Sequence, residues 1–342
     1  MQYNQFKKGV QLNKKMMQKR NYFIDDLRFI AAFIVVVFHL NQSFAHIDNS
    51  YSNVVRYGWL GVPIFFVISG YCIIISAHHS VDFVKFFKKR FFRIFPAYWF
   101  SLFIVLSSAV VQKITTGYNS VSNIPDTFKG IIANITLTTA PFTNIKTMNW
   151  VYWSLTYEIF FYIIIGVIMM FHKKFFPRLL ISISLLSCLN LSPQVHYLFF
   201  LDNWPIFSLG ITAYYLNSYT NKKDFYFIVA FFLINCSACF INFRYQLNYV
   251  FVSLVTFALI VFSNYFPIKK TVFSHLGQYS YSVYLIHVPI GVFLLGRLKT
   301  LSIQQNLFLN ILFDTTVYCI ISVISKYIYQ CLEKPLIRYS QS

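Results

Sequence analysis

The sequence is poor in charged residues, and acidic residues are especially few. Asp, Glu, Lys and Arg make up 11% of the chain, and its 342 residues include 10 Asp or Glu against 29 Lys or Arg. A soluble domain carries about 25% charged residues, so this chain cannot cover a water-facing surface in the usual way. The low charge therefore excludes an ordinary soluble globular domain.

Several chemical signatures are also missing. The sequence has no G-x-x-x-x-G-K-[ST] phosphate-binding loop and no G-x-S-x-G nucleophile elbow. The pair His78–His79 has no recognisable metal-ligand spacing, and Cys236-x-x-Cys239 has no second ligand pair nearby. We therefore expect no metal site, no P-loop and no serine hydrolase of the elbow type.

Long apolar runs dominate what is present. Hydrophobic residues make up 57% of the chain, and 40 Phe and 25 Tyr suit lipid-facing surfaces and interfacial belts. The pattern predicts an all-α, polytopic transmembrane helical bundle. The formal charge of +19 resides in short loops beside the apolar runs, which is typical of topology control and not of nucleic-acid binding.

The positions of the basic residues predict the topology. Cytoplasmic loops are enriched in Lys and Arg, which places the basic N-terminal segment 1–27 and the tail 336–342 inside and the membrane domain over 28–335. The same rule keeps the ambiguous stretch 127–140 outside, within a long external loop over 114–150. The prediction is ten spans with both termini cytoplasmic, near 28–45, 59–77, 96–112, 151–171, 178–191, 198–217, 225–242, 249–266, 277–297 and 306–331.

Arg28 and His39 lie eleven residues apart in the first apolar run. At about 100° and ~1.5 Å per residue they share one helix face and are separated by about 16 Å along the axis. If Arg28 marks the membrane edge, His39 lies near the midplane of a ~30 Å hydrocarbon core. An ionisable side chain at that depth is costly and typical of a functional cavity. His39 is therefore the first catalytic candidate.

Glu158 and His287 are predicted at a similar depth on two other spans. Glu158 is one of two glutamates, and it either forms a structural pair or orients and charge-stabilises the His39 ring. His287, taken singly, favours a structural role. Three ionisable groups at one level on three spans nevertheless predict a lined cavity.

Basic and aromatic residues alternate in the segment KFFKKRFFRIFPAYW. The interleaved phenylalanines favour a helix lying in the membrane interface. Arg90 and Arg93 share a helix face at i and i+3, and two paired guanidinium groups make a good phosphate fork. Most of the lysines are explained by their role in setting the topology and in binding lipid headgroups. Since Arg28 enters the membrane on the same, cytoplasmic side, we expect a phosphorylated ligand to bind there.

Five blocks taken in order resemble the integral-membrane acyltransferase-3 family of bacterial inner-membrane acyltransferases, over nearly the whole chain. They are LRFIAAFIVVVFHL, GWLGVPIFFVISGY, RFFRIFPAYW, NWVYWSLTYEIFFY and SYSVYLIHVPI. The resemblance implies that the arginines and histidine of its R-x10-H and R-x-x-R motifs are required, and that one glutamate belongs to a WSLxxE-like block. On this sequence these residues are Arg28, His39, Arg90, Arg93 and Glu158. Tyr71 and Ser154, in the second and fourth blocks, are further cavity candidates together with His287.

The family resemblance also implies an activity. It implies an O-acyltransferase in the bacterial inner membrane, in contact with lipids, that uses cytoplasmic acyl-CoA, usually acetyl-CoA, as its donor. The acceptor would be an extracytoplasmic glycan such as O-antigen, an exopolysaccharide or another surface sugar. His39 would act as general base or as acyl carrier, and both remain open.

Two other functions remain as alternatives. A transporter or flippase of a glycan or lipid-linked intermediate would suit a bundle with buried polar groups, although the sequence shows no internal repeat of the kind that transporters carry. The other alternative is a non-catalytic membrane subunit of a polysaccharide synthase.

Overall fold

The chain forms helices throughout the part that the structure describes. The computed structural model describes residues 21–42, 49–117, 123–171, 175–192, 194–219, 221–266 and 268–341, and no strand occurs within these ranges. The predicted N-terminal segment 1–27 lies outside them except for its last seven residues, as do parts of the predicted loop 114–150 and of the tail. The predicted all-α class is confirmed.

The α-helices are numbered in chain order. They are α1 (Tyr22–Asn41), α2 (Ser50–Val55), α3 (Gly61–His78), α4 (Phe83–Thr116), α5 (Phe128–Thr136), α6 (Trp153–Met170), α7 (Phe176–Ser187), α8 (Phe200–Ser218), α9 (Lys222–Asn242), α10 (Leu247–Tyr265), α11 (Val272–Gly277), α12 (Ser280–Ile286), α13 (Leu301–Gln305), α14 (Leu307–Ile328) and α15 (Lys334–Tyr339). Two π-helical segments, His287–Leu295 and Tyr329–Glu333, continue α12 and α14. Short 3-10 turns cover Gly58–Leu60, Trp150–Tyr152, His196–Leu198 and Gly296–Leu298.

Each of the ten predicted apolar runs contains a helix. Among the described residues, seven continuous helical stretches are long and apolar enough to cross a membrane. The count of ten spans and the orientation of the termini stay predictions. The seven stretches are Ser50–His78, Phe83–Thr116, Trp150–Met170, Lys222–Asn242, Leu247–Tyr265, Ser280–Leu298 and Leu307–Tyr339.

The ambiguous stretch 127–140 is mostly the short helix α5. Its nine residues span about 14 Å, half of a ~30 Å hydrocarbon core, so α5 is too short to cross a membrane. The Thr127 side chain accepts the backbone N–H of Gly130 and caps the first turn, and Leu137 ends the helix in the left-handed conformation with φ of 56°. The Tyr98 hydroxyl donates to the Asn134 carbonyl at 2.5 Å and attaches α5 to α4.

The basic and aromatic segment is helical. It forms the first turns of α4, which runs without interruption for 34 residues and carries Pro96 inside it. Aromatic side chains pack one turn apart on both sides of the proline, because the ring of Phe95 lies 4.9 Å from that of Phe91 and 5.6 Å from that of Trp99. The location of these turns in the membrane interface stays a prediction.

The described chain divides into two compact units. The first comprises residues up to Arg28, Pro63–Phe83 and Ile163–His275. Within it, α3 and α8 approach so closely that a Cβ atom at Gly70 would lie 1.8 Å from the carbonyl oxygen of Phe207. Small residues at such a crossing let two helices pack backbone to backbone. Glycine is therefore required at this contact.

The second unit comprises Phe29–Val62, Val84–Tyr162 and the residues from Leu276 onward. Here the GWLG block packs on α1. A Cβ atom at Gly58 would lie 2.1 Å from the Ile34 carbonyl oxygen, and one at Gly61 would lie 2.5 Å from that of Ala31. The two glycines therefore allow the 58–61 turn to lie directly against the helix that carries His39.

A buried ion pair also holds the end of α1. The Lys299 ammonium contacts the Asp314 carboxylate at 2.6 Å, with side chains 0% and 1% exposed. Asn41 joins the pair, accepting from Lys299 at 2.9 Å and from Gln304 at 2.8 Å and donating to Asp314 at 2.6 Å. Tyr51 donates to the same carboxylate at 2.9 Å. Burial lowers the pKa of Lys299, and the neighbouring carboxylate opposes that shift.

Removing one member of this pair should destabilise the protein strongly. Asp314→Leu leaves a buried ammonium without its counter-charge, which lowers the free energy of unfolding by about 3–5 kcal/mol. The measurement is the thermal unfolding midpoint in detergent. The matched control is the double variant Lys299→Met with Asp314→Leu, which replaces both charges by apolar groups and should recover most of the midpoint. A single variant as stable as the wild type contradicts the assignment.

Candidate active site

A backbone carbonyl fixes the ring of His39 near the end of α1. Nδ1 lies 2.9 Å from the carbonyl oxygen of Val35, one turn earlier. Since a carbonyl oxygen only accepts hydrogen bonds, Nδ1 of the neutral ring carries the proton and Nε2 keeps its lone pair. The side chain is partly exposed. His39 is thereby held in the tautomer in which Nε2 can act as base or nucleophile.

His287 is the first residue of the π-helical segment and is fully buried. Its Nδ1 lies 2.6 Å from the Tyr284 carbonyl oxygen, so this ring has the same tautomer as His39. Its Nε2 is buried and has no hydrogen-bond partner among the described residues. Local π-helical geometry is frequent at functional sites, because it interrupts the regular backbone ladder.

The structure brings three of the predicted cavity candidates together. The ring centroids of His39 and His287 lie 5.1 Å apart. The Tyr284 ring lies 5.6 Å from that of His287, and its hydroxyl and the Ser154 hydroxyl are 2.6 Å apart. The centroid of the Trp150 ring lies 6.3 Å from that of His39. His39, His287 and Ser154 therefore belong to one cluster, which we call the imidazole cluster.

The Glu158 carboxylate has a hydrogen-bond partner on its own helix. The hydroxyl of Tyr162, one turn further along α6, donates to it. The guanidinium of Arg90 lies over the Tyr162 ring at 5.7 Å. The Nδ1 atom of His39 is bonded to the Val35 carbonyl. A catalytic role for Glu158 stays a prediction.

The arginine pair of α4 lies beside acidic and phenolic groups. Arg90 and Arg93 are both within electrostatic range of the Tyr162 hydroxyl. Arg93 also lies within electrostatic range of Glu333, a buried carboxylate that accepts a hydrogen bond from the Ser282 hydroxyl. The two guanidinium groups therefore share one region of the second unit, as their i, i+3 spacing predicted.

Two predicted site residues belong to the first unit. Arg28 contacts the Asp25 carboxylate at 3.0 Å and the Cys72 sulfur at 3.2 Å. The Tyr71 hydroxyl donates to Asn264 at 3.2 Å. Their part in the site stays a prediction. No group of three or more His, Cys, Asp or Glu side chains in the described part of the chain is arranged to hold a metal ion.

Comparison with known families identifies the chain's relatives. The acyltransferase-3 family, described as an acyltransferase domain, matches residues 21–329. The chain belongs to this family. The match includes all five blocks that carry the resemblance and every predicted site residue.

Individual relatives of this acyltransferase-3 member include an O-acetyl transferase of Shigella phage Sf6, 29% identical over 292 residues that cover 80% of this chain and 85% of the phage protein. The O-acetyltransferase OatA of Staphylococcus aureus is 33% identical over 96 residues, 26% of this chain and only 14% of the relative. The peptidoglycan O-acetyltransferase OatA of Listeria monocytogenes is 33% identical over 93 residues, 25% of this chain and 13% of the relative. No solved structure matches.

Two tyrosines of this family member were missed in the sequence. Tyr284 lies three residues before His287, and Tyr162 lies four residues after Glu158. Residues at i−3 and i+4 share a helix face, so both could have been singled out as neighbours of the two candidates. Asp314 was also missed, although it interrupts an apolar run in a chain with few acidic residues.

The tautomers of the imidazole cluster can be tested directly. In ¹⁵N-histidine-labelled protein in detergent, His39 and His287 should each show a protonated Nδ1 and an unprotonated Nε2, because backbone carbonyls accept from Nδ1. Nitrogen-detected spectra of His39→Ala and His287→Ala variants assign the two sets of signals. Protonation at Nε2 in either ring would contradict the arrangement.

Proposed function

We propose that the protein is a membrane O-acetyltransferase that moves an acyl group from cytoplasmic acyl-CoA, most simply acetyl-CoA, to a hydroxyl of an extracytoplasmic glycan. One observation carries the proposal: the Val35 carbonyl holds His39 through Nδ1, which leaves Nε2 available to react, in a chain of the acyltransferase-3 family. An imidazole in this tautomer suits acyl transfer, since the same nitrogen serves as general base or as acyl carrier.

The donor side of the proposal rests on the arginines. Acetyl-CoA carries phosphate groups, and paired guanidinium groups bind phosphate by charge-assisted hydrogen bonds. Arg90 and Arg93 lie in the basic first half of α4, which the positive-inside rule assigns to the cytoplasm. Arg28 is the third proposed ligand. The pantetheine arm would then lead the thioester toward His39.

The chemistry at His39 moves one proton from the acceptor hydroxyl to the CoA thiolate. In the direct route, Nε2 takes the hydroxyl proton while the oxygen attacks the thioester carbonyl. The carbon–sulfur bond breaks, and the CoA thiolate leaves and recovers the proton. In the relay route, Nε2 first attacks the thioester carbonyl and takes the acetyl group as the carbon–sulfur bond breaks and the thiolate leaves. The hydroxyl oxygen then displaces Nε2 from the acyl carbon, and its proton passes through the freed Nε2 to the thiolate. Both routes use the same nitrogen, so both depend on His39.

The acceptor is proposed by class. The names of the relatives include a peptidoglycan O-acetyltransferase, and the family resemblance implies surface glycans in general. O-antigen is our first choice, with exopolysaccharide and peptidoglycan as the other candidates. The proposal places the enzyme in the bacterial inner membrane.

Radiolabelled acetyl-CoA separates this function from its alternatives. Membranes containing the protein are incubated with labelled acetyl-CoA and each class of glycan. Label on the glycan supports the enzyme. Glycan translocation without label supports a transporter or flippase. If neither label transfer nor translocation occurs, the result supports a non-catalytic subunit.

His39→Ala should abolish label transfer while the protein still inserts in the membrane, because it removes the nitrogen that acts as base or acyl carrier in the two routes. His79→Ala is the matched control, since His79 also bonds the carbonyl four residues earlier, Ile75, at 2.8 Å but is exposed. The control should keep wild-type transfer. Retained transfer in a well-expressed His39→Ala protein would remove the assignment.

The double variant Arg90→Ala with Arg93→Ala should weaken acetyl-CoA binding at least tenfold, because two charge-assisted hydrogen bonds of about 1.5–3 kcal/mol each are lost. Titration calorimetry on the protein in detergent measures the affinity. The control is Lys85→Ala with Lys89→Ala, which removes the same charge from the same helix and should bind normally. Equal affinity in both double variants would mean that the arginines do not hold the donor.

A further inference from the structure

A structural role does not explain why His287 is buried with one ring nitrogen unpartnered. Its side chain is 0% exposed, and only one of its two ring nitrogens has a hydrogen-bond partner among the described residues. Buried polar atoms in folded proteins are almost always paired, and an exception calls for an explanation. A residue chosen for packing alone would be apolar at this place.

The unpartnered nitrogen belongs to a ring beside His39. The two centroids are 5.1 Å apart, and backbone carbonyls hold both rings with the proton on Nδ1. In the resting state both Nε2 atoms are acceptors, so neither can donate to the other. When His39 takes up a second proton, its Nε2 becomes a donor that needs an acceptor, and the two rings can then form a hydrogen bond.

We propose that His287 is a second catalytic residue, whose Nε2 accepts a hydrogen bond from the proton that His39 Nε2 takes up during acyl transfer. This inference rests on the proposed function. No existing hydrogen bond has to break for His287 to accept, since its Nε2 has no partner at rest. His287 then stabilises the imidazolium in place of Glu158, whose carboxylate is bonded to Tyr162.

The proton balance is the same in both routes. In the direct route the hydroxyl O–H bond breaks, the proton moves to His39 Nε2 and is shared with His287 Nε2. It is returned to the CoA thiolate after the carbon–sulfur bond breaks. In the relay route His39 Nε2 attacks the thioester and the thiolate leaves. The hydroxyl oxygen then forms the ester bond as the carbon–nitrogen bond breaks. Its proton goes to the freed His39 Nε2, where His287 Nε2 accepts the hydrogen bond, and then on to the thiolate.

The surroundings of His287 keep its Nε2 available. The carbonyl that fixes Nδ1 belongs to Tyr284, whose hydroxyl is held by the Val151 carbonyl at 2.5 Å and by Ser154. Tyr284 therefore cannot rotate away without losing two hydrogen bonds. On the far side, Gly291 lets the π-helical segment pack against Ile321, since a Cβ there would lie 2.6 Å from its Cδ1 atom. The ring is fixed, and only its acceptor nitrogen is unused.

Two substitutions separate a hydrogen-bond acceptor from a packing residue. His287→Phe fills the space without an acceptor, whereas His287→Gln places an amide oxygen near the position of Nε2. We expect kcat of His287→Phe to fall about 10- to 100-fold, as for a lost hydrogen bond to a charged group, with the KM for acetyl-CoA unchanged. His287→Gln should recover a substantial part of kcat.

The outcomes are decisive once the wild type transfers label. A wild-type kcat in His287→Phe overturns the inference and leaves the role of His39 intact. Equal loss in the Phe and Gln variants also overturns it, because the loss then follows packing and not the acceptor. If His287→Phe does not fold, as judged by its thermal midpoint, His287→Leu replaces it under the same criteria. Absence of transfer by the wild type would instead reject the proposed function.

Discussion

Burying hydrogen-bonding groups among apolar helices is costly unless each group finds a partner, and this constraint organises the second unit. His39 and His287 satisfy Nδ1 through the backbone of their own helices. Lys299 and Asp314 pair with each other and use Asn41 to complete their hydrogen bonds. Because Asn41 lies two residues beyond His39, the buried ion pair holds the end of α1, the helix that carries His39.

The same constraint sets the chemistry of the imidazole cluster. A main-chain carbonyl does not titrate, so it holds a ring in one tautomer without contributing a charge of its own. Where a carboxylate orients an imidazole, it also stabilises the protonated form. In this protein the Val35 carbonyl orients the His39 ring without placing a negative charge beside its protonated form. The proposed mechanism assigns the stabilisation of that form to His287.

Depth in the bundle could be predicted from the sequence, whereas partners across helices could not. Counting residues from the ends of the apolar runs brought His39 and His287 to one level, and their rings lie 5.1 Å apart. Glu158 came from the same reasoning, but its carboxylate faces Tyr162 because the rotation of α6 about its axis depends on packing, which a single sequence does not specify. The helices themselves followed from the long apolar runs. The predicted span began at residue 96, whereas α4 begins at Phe83 and continues through Pro96, with aromatic rings packed beside the proline.

Most of the few acidic side chains of the described chain have hydrogen-bond partners of their own. Seven of the ten Asp and Glu side chains lie in described, buried or half-buried positions, and six of these seven accept from a group other than a histidine. The partners are Arg28 for Asp25, Thr271 for Asp26, Tyr162 for Glu158, Ser192 for Asp202, Lys299 for Asp314 and Ser282 for Glu333. In the proposed mechanism, the proton on His39 is instead shared with the adjacent ring of His287, the group in the described cluster whose acceptor nitrogen is unused.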